Sequence, residues 1–447
     1  MLKRSSRPTG ELERPQRPSS QPGAEIVRRD GPIDHRIRLV LLVGAVVSFG
    51  LVGGVSGLVV VLSFVIMLVL HELGHFLVAR WSGMQVTEFF IGFGPRLWAF
   101  RKGETTYGVK AVPAGAYVRI TGMTSLDVVD PAEEHRTYRA QTYTRRLAVA
   151  LAGSAVHFVV ALLLLFGLYG LVGTPDPNRW HVGDVVAGTT ADGLGIRTGD
   201  RIVALDGASV DDFGDFGAVV RSLPGQTADV VIERDGDRRT LTATIGERAV
   251  GEAVVGFFGV GYERPLVTMG PLRSFLEAGV RFGDLVQLSI DGLFSFFTPD
   301  GLASFFSGAL SDPKETSVGG VAPQDGGGSV ASVSTAVPAD GEDERLLSIY
   351  GAARLGSAMF DDGWATYLWF LVLVNIFIGV FNLVPLLPLD GGHVVIATYE
   401  RLRSFGGRRY VADASKLVPM TWAVVSLLVL VAAVALYRDI VDLPDFG

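Results

Sequence analysis

The sequence predicts a polytopic α-helical membrane protein of about five transmembrane helices, with a strand-and-turn region at one membrane surface and a small β-rich domain outside the lipid. Three observations predict it. Apolar residues make up 49% of the 447 positions, and they gather into uncharged runs that reach or approach the roughly 20 residues needed to cross a hydrocarbon core of about 30 Å. Basic residues flank those runs at both ends of the array. Between the runs lie stretches punctuated by Gly and Pro, with the short alternating pattern of strands and turns.

Residues 1–37, rich in Arg, Pro, Ser and Gly, read as a disordered cytoplasmic tail, too long for the basic region of a cleaved signal peptide. Residues 38–82 hold an almost unbroken apolar run up to His71. Gly53 and Gly54 divide it into helices near 38–52 and 55–81 that meet at the outer face, and one long tilted helix is the alternative. Residues 83–144, with IGFGPRLWAF and YGVKAVPAGAYVRITGM, read as short strands and turns at the cytoplasmic membrane surface. A third span occupies 145–173. A fourth near 366–387 and a fifth near 418–437 fall within 346–447. Lys3, Arg4, Arg28, Arg29, Arg36 and Arg38 precede the first span, while Arg401, Arg403, Arg408, Arg409 and Lys416 fill the last loop. The positive-inside rule makes both flanks cytoplasmic, which five spans satisfy.

The span order puts residues 178–262 outside the membrane. GLGIRTGDRIVALDGASV gives a glycine turn at Gly199, a strand at 201–205 and a second turn at Asp206 and Gly207. The segment after it reads as a hairpin turning at Asp235 and Gly236. The first of these runs resembles the signature of a PDZ domain, a fold that binds extended peptide at a sheet edge. Residues 263–310 are amphipathic and aromatic-rich, fitting either the membrane interface and substrate entrance or packing on the bundle. Residues 311–345 have the composition of a flexible loop.

Charge and cysteine content narrow the chemistry. A formal charge of −7 without a basic patch excludes nucleic acid as a partner. With no cysteine in the chain, a metal must rest on histidine and carboxylate. His71-Glu72-Leu73-Gly74-His75 is an H-E-x-x-H run, in which two histidines one helical turn apart can grip one Zn²⁺ and Glu72 can polarise water. By average composition such a run arises by chance in about one of a hundred chains of this size. Here it closes a long apolar run, where ionisable groups are costly and usually functional.

Two histidines leave zinc short of three protein ligands, and Asp390 is the best third candidate. It stands in NLVPLLPLDGGH, after an apolar span broken by Pro385 and Pro388, where a broken helix in lipid requires protein or a wet cavity around it. Depth gives an independent check. Counting about 1.5 Å per residue from Gly57 and from Leu368, His71 and Asn382 both lie about 21 Å down. That places the metal about 9 Å inside the cytoplasmic edge of the core.

With both motifs identified, the chain resembles the site-2 protease family of intramembrane zinc metalloproteases, in its bacterial form with an extracytoplasmic PDZ domain. The resemblance runs from about Val55 to Leu436. It implies His71, His75 and Asp390 as zinc ligands, Glu72 as catalytic acid/base, and Asn382 as a holder of substrate backbone. It also implies that Tyr107, Gly108, Val109, Lys110 and Gly115 belong to a membrane-facing β-loop that pairs with unwound substrate, with Gly92 and Gly94 in its neighbouring turn. The implied partners are the bilayer and single-pass membrane proteins, often a trimmed anti-sigma factor in signal transduction. The implied location is the plasma membrane, with the active site near its cytoplasmic side.

Two departures stand out. Pro388 comes one place later than in the commonest family pattern, and where many members read G-P-x-x-N, this chain has Gly153-Ser154-Ala155-Val156-His157. A lone helix histidine is more often a packing residue, and that reading of His157 is preferred to one in which it joins the site or bonds a substrate carbonyl. His393 is preferred as a neighbour of the ligands rather than one of them. Two rival readings rank lower: a membrane-anchored PDZ scaffold or inactive pseudoprotease that binds helices without cutting them, and a metal transporter. The oligomeric state is not written in the sequence.

Overall fold

The computed structural model describes residues 35–123, 127–176, 179–250, 253–310, 347–404 and 410–441. Most of the predicted tail, the predicted flexible loop, Arg408 and Arg409 lie outside the described residues. Among the described residues four helices are long and apolar enough to cross a membrane: Gly54–Trp81, Tyr143–Val172, Trp364–Asn382 and Val418–Val441.

Helix α1 spans His35–Trp81, and its one non-helical residue is Gly54, with φ 72° and ψ 177°. Only glycine takes that conformation without strain, so the predicted break is a single residue. The helix begins three residues inside the predicted tail, since no proline or glycine stands between His35 and Val43. Helix α2 (Tyr143–Gly167) also starts earlier than predicted, then runs on through a wider turn at Leu168–Val172.

Between them the structure corrects the prediction of short strands. Strands β1 (Val86–Lys102) and β2 (Thr105–Ile120) are long, and each bends so that its two halves pair separately. Segment 88–91 pairs on one side with 116–119 and on the other with 106–109, and 106–109 pairs in turn with 98–101. The effective order is 98–101, 106–109, 88–91, 116–119, so Tyr107, Gly108 and Val109 lie inside the sheet. Phe76 and Ala79 of α1, Met84, Val86, Ile120, Tyr138 and Val149 form one buried cluster. Burying each large side chain there contributes about 1.5–3 kcal/mol, which clamps the sheet to the end of α1.

Residues 179–250 and 253–263 form a separate small domain around Trp180, Ile202, Leu205, Phe216, Val230 and Ile232. It holds short helices α3 (Thr190–Gly193) and α4 (Phe213–Arg221) and a four-stranded sheet containing Arg201–Leu205 and the hairpin Thr227–Arg234 and Asp237–Thr244. The hairpin turns at Asp235 and Gly236, both at positive φ, as a two-residue turn of this hand requires. Asp200, 2% exposed, takes two hydrogen bonds from Arg234 and one from the Arg197 amide.

Helices α5 (Pro271–Phe296) and α6 (Pro299–Leu310) fill the predicted amphipathic region. Ala278 and Leu285 of α5 are buried in one cluster with Ala161 and Leu165 of α2 and Val372 and Ile376 of the later span, so one face of α5 packs on the bundle. Helix α7 (Ile349–Asp361) leads into α8 (Trp364–Asn382), followed by α9 (Asp390–Arg403) and α10 (Val418–Val441). Helix α8 stops five residues short of the predicted end. Pro385 disfavours a helical Val384 and removes an N–H, so the chain turns there. The pairs Tyr367 to Ser63 at 2.7 Å and Asn375 to Met67 at 2.9 Å advance together along both chains, so α1 and α8 run in the same direction.

Candidate metal centre

His71 and His75 sit one turn apart on α1, with Asp390 in the first turn of α9. Their donor atoms form a triangle. His71 Nε2 and His75 Nε2 are 3.2 Å apart, and Asp390 Oδ2 lies 3.4 Å from the first and 3.2 Å from the second. Zinc held tetrahedrally at about 2.0–2.1 Å keeps neighbouring donors about 3.3–3.4 Å apart. The residues present therefore fit the ion in size and in kind.

Hydrogen bonding points the same way. His75 Nδ1 donates to the Val149 carbonyl at 2.7 Å, which leaves its Nε2 with a lone pair and no proton for Asp390. Asp390 Oδ2 is buried without a hydrogen-bond partner among the described residues. An acceptor facing another acceptor across 3.2 Å, away from water, calls for a cation between them. Among the described residues this trio forms the one cluster of three potential ligands.

Close approach of α1 and α2 makes the triangle possible. A Cβ on Gly74 would stand 2.7 Å from the Ala152 carbonyl oxygen, and one on Gly153 would stand 2.5 Å from His75 Nε2 and closer still to the His71 ring. Motif reading names Gly153 only as the start of a departing stretch and misses its role, which is clearance. Its signal is the spacing Val149, Gly153, His157, which puts all three on one stripe of α2 facing the histidines.

Glu72, beside the first histidine, accepts a hydrogen bond from the Val118 backbone N–H at 2.9 Å. Val118 lies in the outer segment 116–119 of the sheet, whose other side pairs with 88–91, so the free edge of the sheet faces the centre. Gly115 adjoins that edge. Tyr107, Gly108 and Val109 do not, because each already has partners on both sides, and Lys110 pairs with Arg96 and bonds the Tyr117 hydroxyl. Asn382 ends α8 at the turn that leads to Asp390. His393 lies on α9 with its ring 6.3 Å from that of Tyr138. His157, 1% exposed, packs its ring 5.2 Å from that of His71.

Arg146 on α2 and Glu400 on α9 form a 2.5 Å ion pair that is largely buried. Glu400 also accepts the Ala412 amide at 2.6 Å, and the Arg146 guanidinium lies 5.0 Å over the Tyr138 ring. This latch fixes the helix carrying Asp390 against the helix carrying Gly153.

Comparison with known proteins agrees in class. Residues 59–429 match the profile of peptidase family M50. The zinc metalloprotease Rip1 of Mycobacterium tuberculosis H37Rv is 32% identical over 424 residues, covering 87% of this chain and 98% of that protein. The Mycolicibacterium smegmatis protein of the same name is 31% identical over 428 residues, with the same coverage. A putative zinc metalloprotease of Clostridium perfringens, CPE1693, is 29% identical over 344 residues, 76% of this chain and 87% of its own.

Proposed function

The chain belongs to peptidase family M50 and is a multi-pass membrane zinc metalloprotease, and from that premise we propose that it cuts the transmembrane segment of single-pass proteins at the centre formed by His71, His75, Asp390 and Glu72. The observation that carries this reading is the 3.2–3.4 Å triangle of donors with Glu72 beside it.

His71, His75 and Asp390 would hold the ion. When bound, zinc supplies Lewis acidity that polarises a peptide carbonyl and acidifies water. Glu72 takes the proton that water loses at its carboxylate and delivers it to the leaving nitrogen. A helix shields its own peptide bonds, so the substrate must be drawn out straight. The free edge at 116–119 and Gly115 offers it backbone partners beside Glu72, and Asn382 offers a side-chain amide. In lipid every freed backbone group costs several kcal/mol unless repaired, so such partners make unwinding feasible. This gives the β-loop role to the edge rather than to Tyr107, Gly108, Val109 and Lys110.

With the five spans that the sequence predicts, the centre would lie towards the cytoplasmic side of the cell membrane and the small domain outside it. That domain, read as a PDZ domain, would filter or tether substrates by their trimmed ends. An anti-sigma factor trimmed outside the cell fits those requirements and would connect cleavage to a transcriptional signal. Coexpression with a trimmed single-pass reporter tests the core of this reading. Wild type should release the cytoplasmic fragment and Glu72→Gln should not; equal release from both would overturn it.

A further inference from the structure

His71 and His75 are supported differently. His75 has its Nδ1 bonded to the Val149 carbonyl, whereas His71 Nδ1 is buried without a hydrogen-bond partner among the described residues. A histidine that gives Nε2 to a metal carries its proton on Nδ1, and such protons nearly always have an acceptor. The Gly153 carbonyl lies near the His71 ring but does not meet hydrogen-bond geometry at Nδ1.

A matching acceptor stands next to it. His157 Nδ1 meets Asn375 Oδ1 at 2.9 Å, and the orientation of that amide is set by its other end, where Asn375 Nδ2 donates to the Leu371 carbonyl at 2.7 Å. His157 must therefore carry its proton on Nδ1, leaving a lone pair on Nε2. That Nε2 is also buried without a partner among the described residues. A buried donor and a buried acceptor, both unpaired, thus belong to two rings whose centroids are 5.2 Å apart and whose planes differ by 41°. A ring nitrogen stands about 1.1 Å from its centroid; the two atoms do not bond as the rings lie here, and a turn that brings both onto the line of centres would leave them about 3 Å apart, in hydrogen-bond range.

We propose that Asn375 and His157 form a positioning relay behind His71, in which Asn375 fixes the tautomer of His157 and His157 Nε2 accepts the Nδ1 proton of His71 once that histidine holds the metal. The relay rests on the ligand reading above. It spans three helices, α8 to α2 to α1, and Asn375 is further anchored by its 2.9 Å contact to Met67 Sδ. The neutral imidazole of His157 does for His71 what the Val149 carbonyl does for His75. His157 and Asn375 are each 1% exposed, which suits a positioning role behind the ligand.

The test is zinc affinity, measured by chelator competition on the full chain in detergent, with melting temperature recorded alongside. His157→Phe keeps a ring and removes the acceptor, and it should weaken zinc about 10–100-fold. His157→Gln restores an acceptor and should recover most of that loss. Asn375→Leu should weaken zinc in the same sense, and adding it to His157→Phe should cost little more, since both act on one path. Wild-type affinity in His157→Phe overturns the relay. So do equal losses in His157→Phe and His157→Gln, which would assign the effect to packing. His71→Ala keeps the two readings apart: full zinc retention there refutes the ligand assignment, whereas zinc loss in His71→Ala with none in His157→Phe refutes the relay alone.

Discussion

The Val118 amide donates to Glu72 Oε2 at 2.9 Å, which joins the free edge of the sheet to the side chain that would move the proton. The carboxylate is aimed by a backbone group from another element 46 residues away. A hydrogen bond to a charged group contributes about 1.5–3 kcal/mol. Val118→Pro removes this donor on the unpaired side of the segment, and cleavage should fall about 10–100-fold with zinc content unchanged. Loss of zinc in that variant would show that the edge supports the metal site instead.

Asp390→Asn keeps the shape of the side chain and removes its charge. Metal analysis of the purified variant should find zinc depleted, with the fold intact by melting. Retention of one zinc per chain would remove Asp390 from the ligand set.

Gly153→Ala puts a methyl group against both histidine rings, where the backbone of α2 leaves no slack. Overpacking of this kind costs about 1–3 kcal/mol. Zinc affinity should drop together with melting temperature, while Gly167→Ala on the same helix, where a Cβ meets nothing within 4 Å, should change neither.

Glu400→Gln leaves Arg146 charged and largely buried without its anion. Breaking such a pair costs about 3–5 kcal/mol. Hydrogen exchange should rise in α9 before it rises in α8, and zinc should bind more weakly. Uniform destabilisation would show that the pair serves the whole bundle rather than the placement of Asp390.

In the small domain, burial opposes the charge of Asp200, but hydrogen bonds from Arg234 and the Arg197 amide outweigh it and hold its carboxyl below the usual range. A folded-state pKa below the unfolded value means that the carboxylate stabilises the fold above the unfolded pKa, about 3.9. That stability is lost as pH falls through the folded pKa. Exchange protection over 201–244 should therefore exceed that of Asp200→Asn at pH 7, with the difference shrinking in acid. A difference that persists through the most acidic readings would assign it to shape rather than charge.

The coming together of His71, His75 and Asp390 could be read from the chain because helical period and depth are one-dimensional quantities. Counting residues from the outer face levels the two motifs without any knowledge of packing. The roles of Gly74 and Gly153 could not be read that way, since they are distances between two helices that only a third dimension supplies. Glu400 and Arg146, 254 residues apart, carry no local pattern at all. The sheet escapes a sequence reading for a related reason: glycines at 92, 94 and 115 announce turns, yet here Gly92 and Gly94 bend one long strand so that it pairs twice.

The order of that sheet also bears on which proteins can be cut. Because the rim at 116–119 is the one beside Glu72, a guest chain laid along it would show successive side chains to opposite sides. Preference should then fall on every second position around the scissile bond. Sequences that differ only at the positions between would be processed alike.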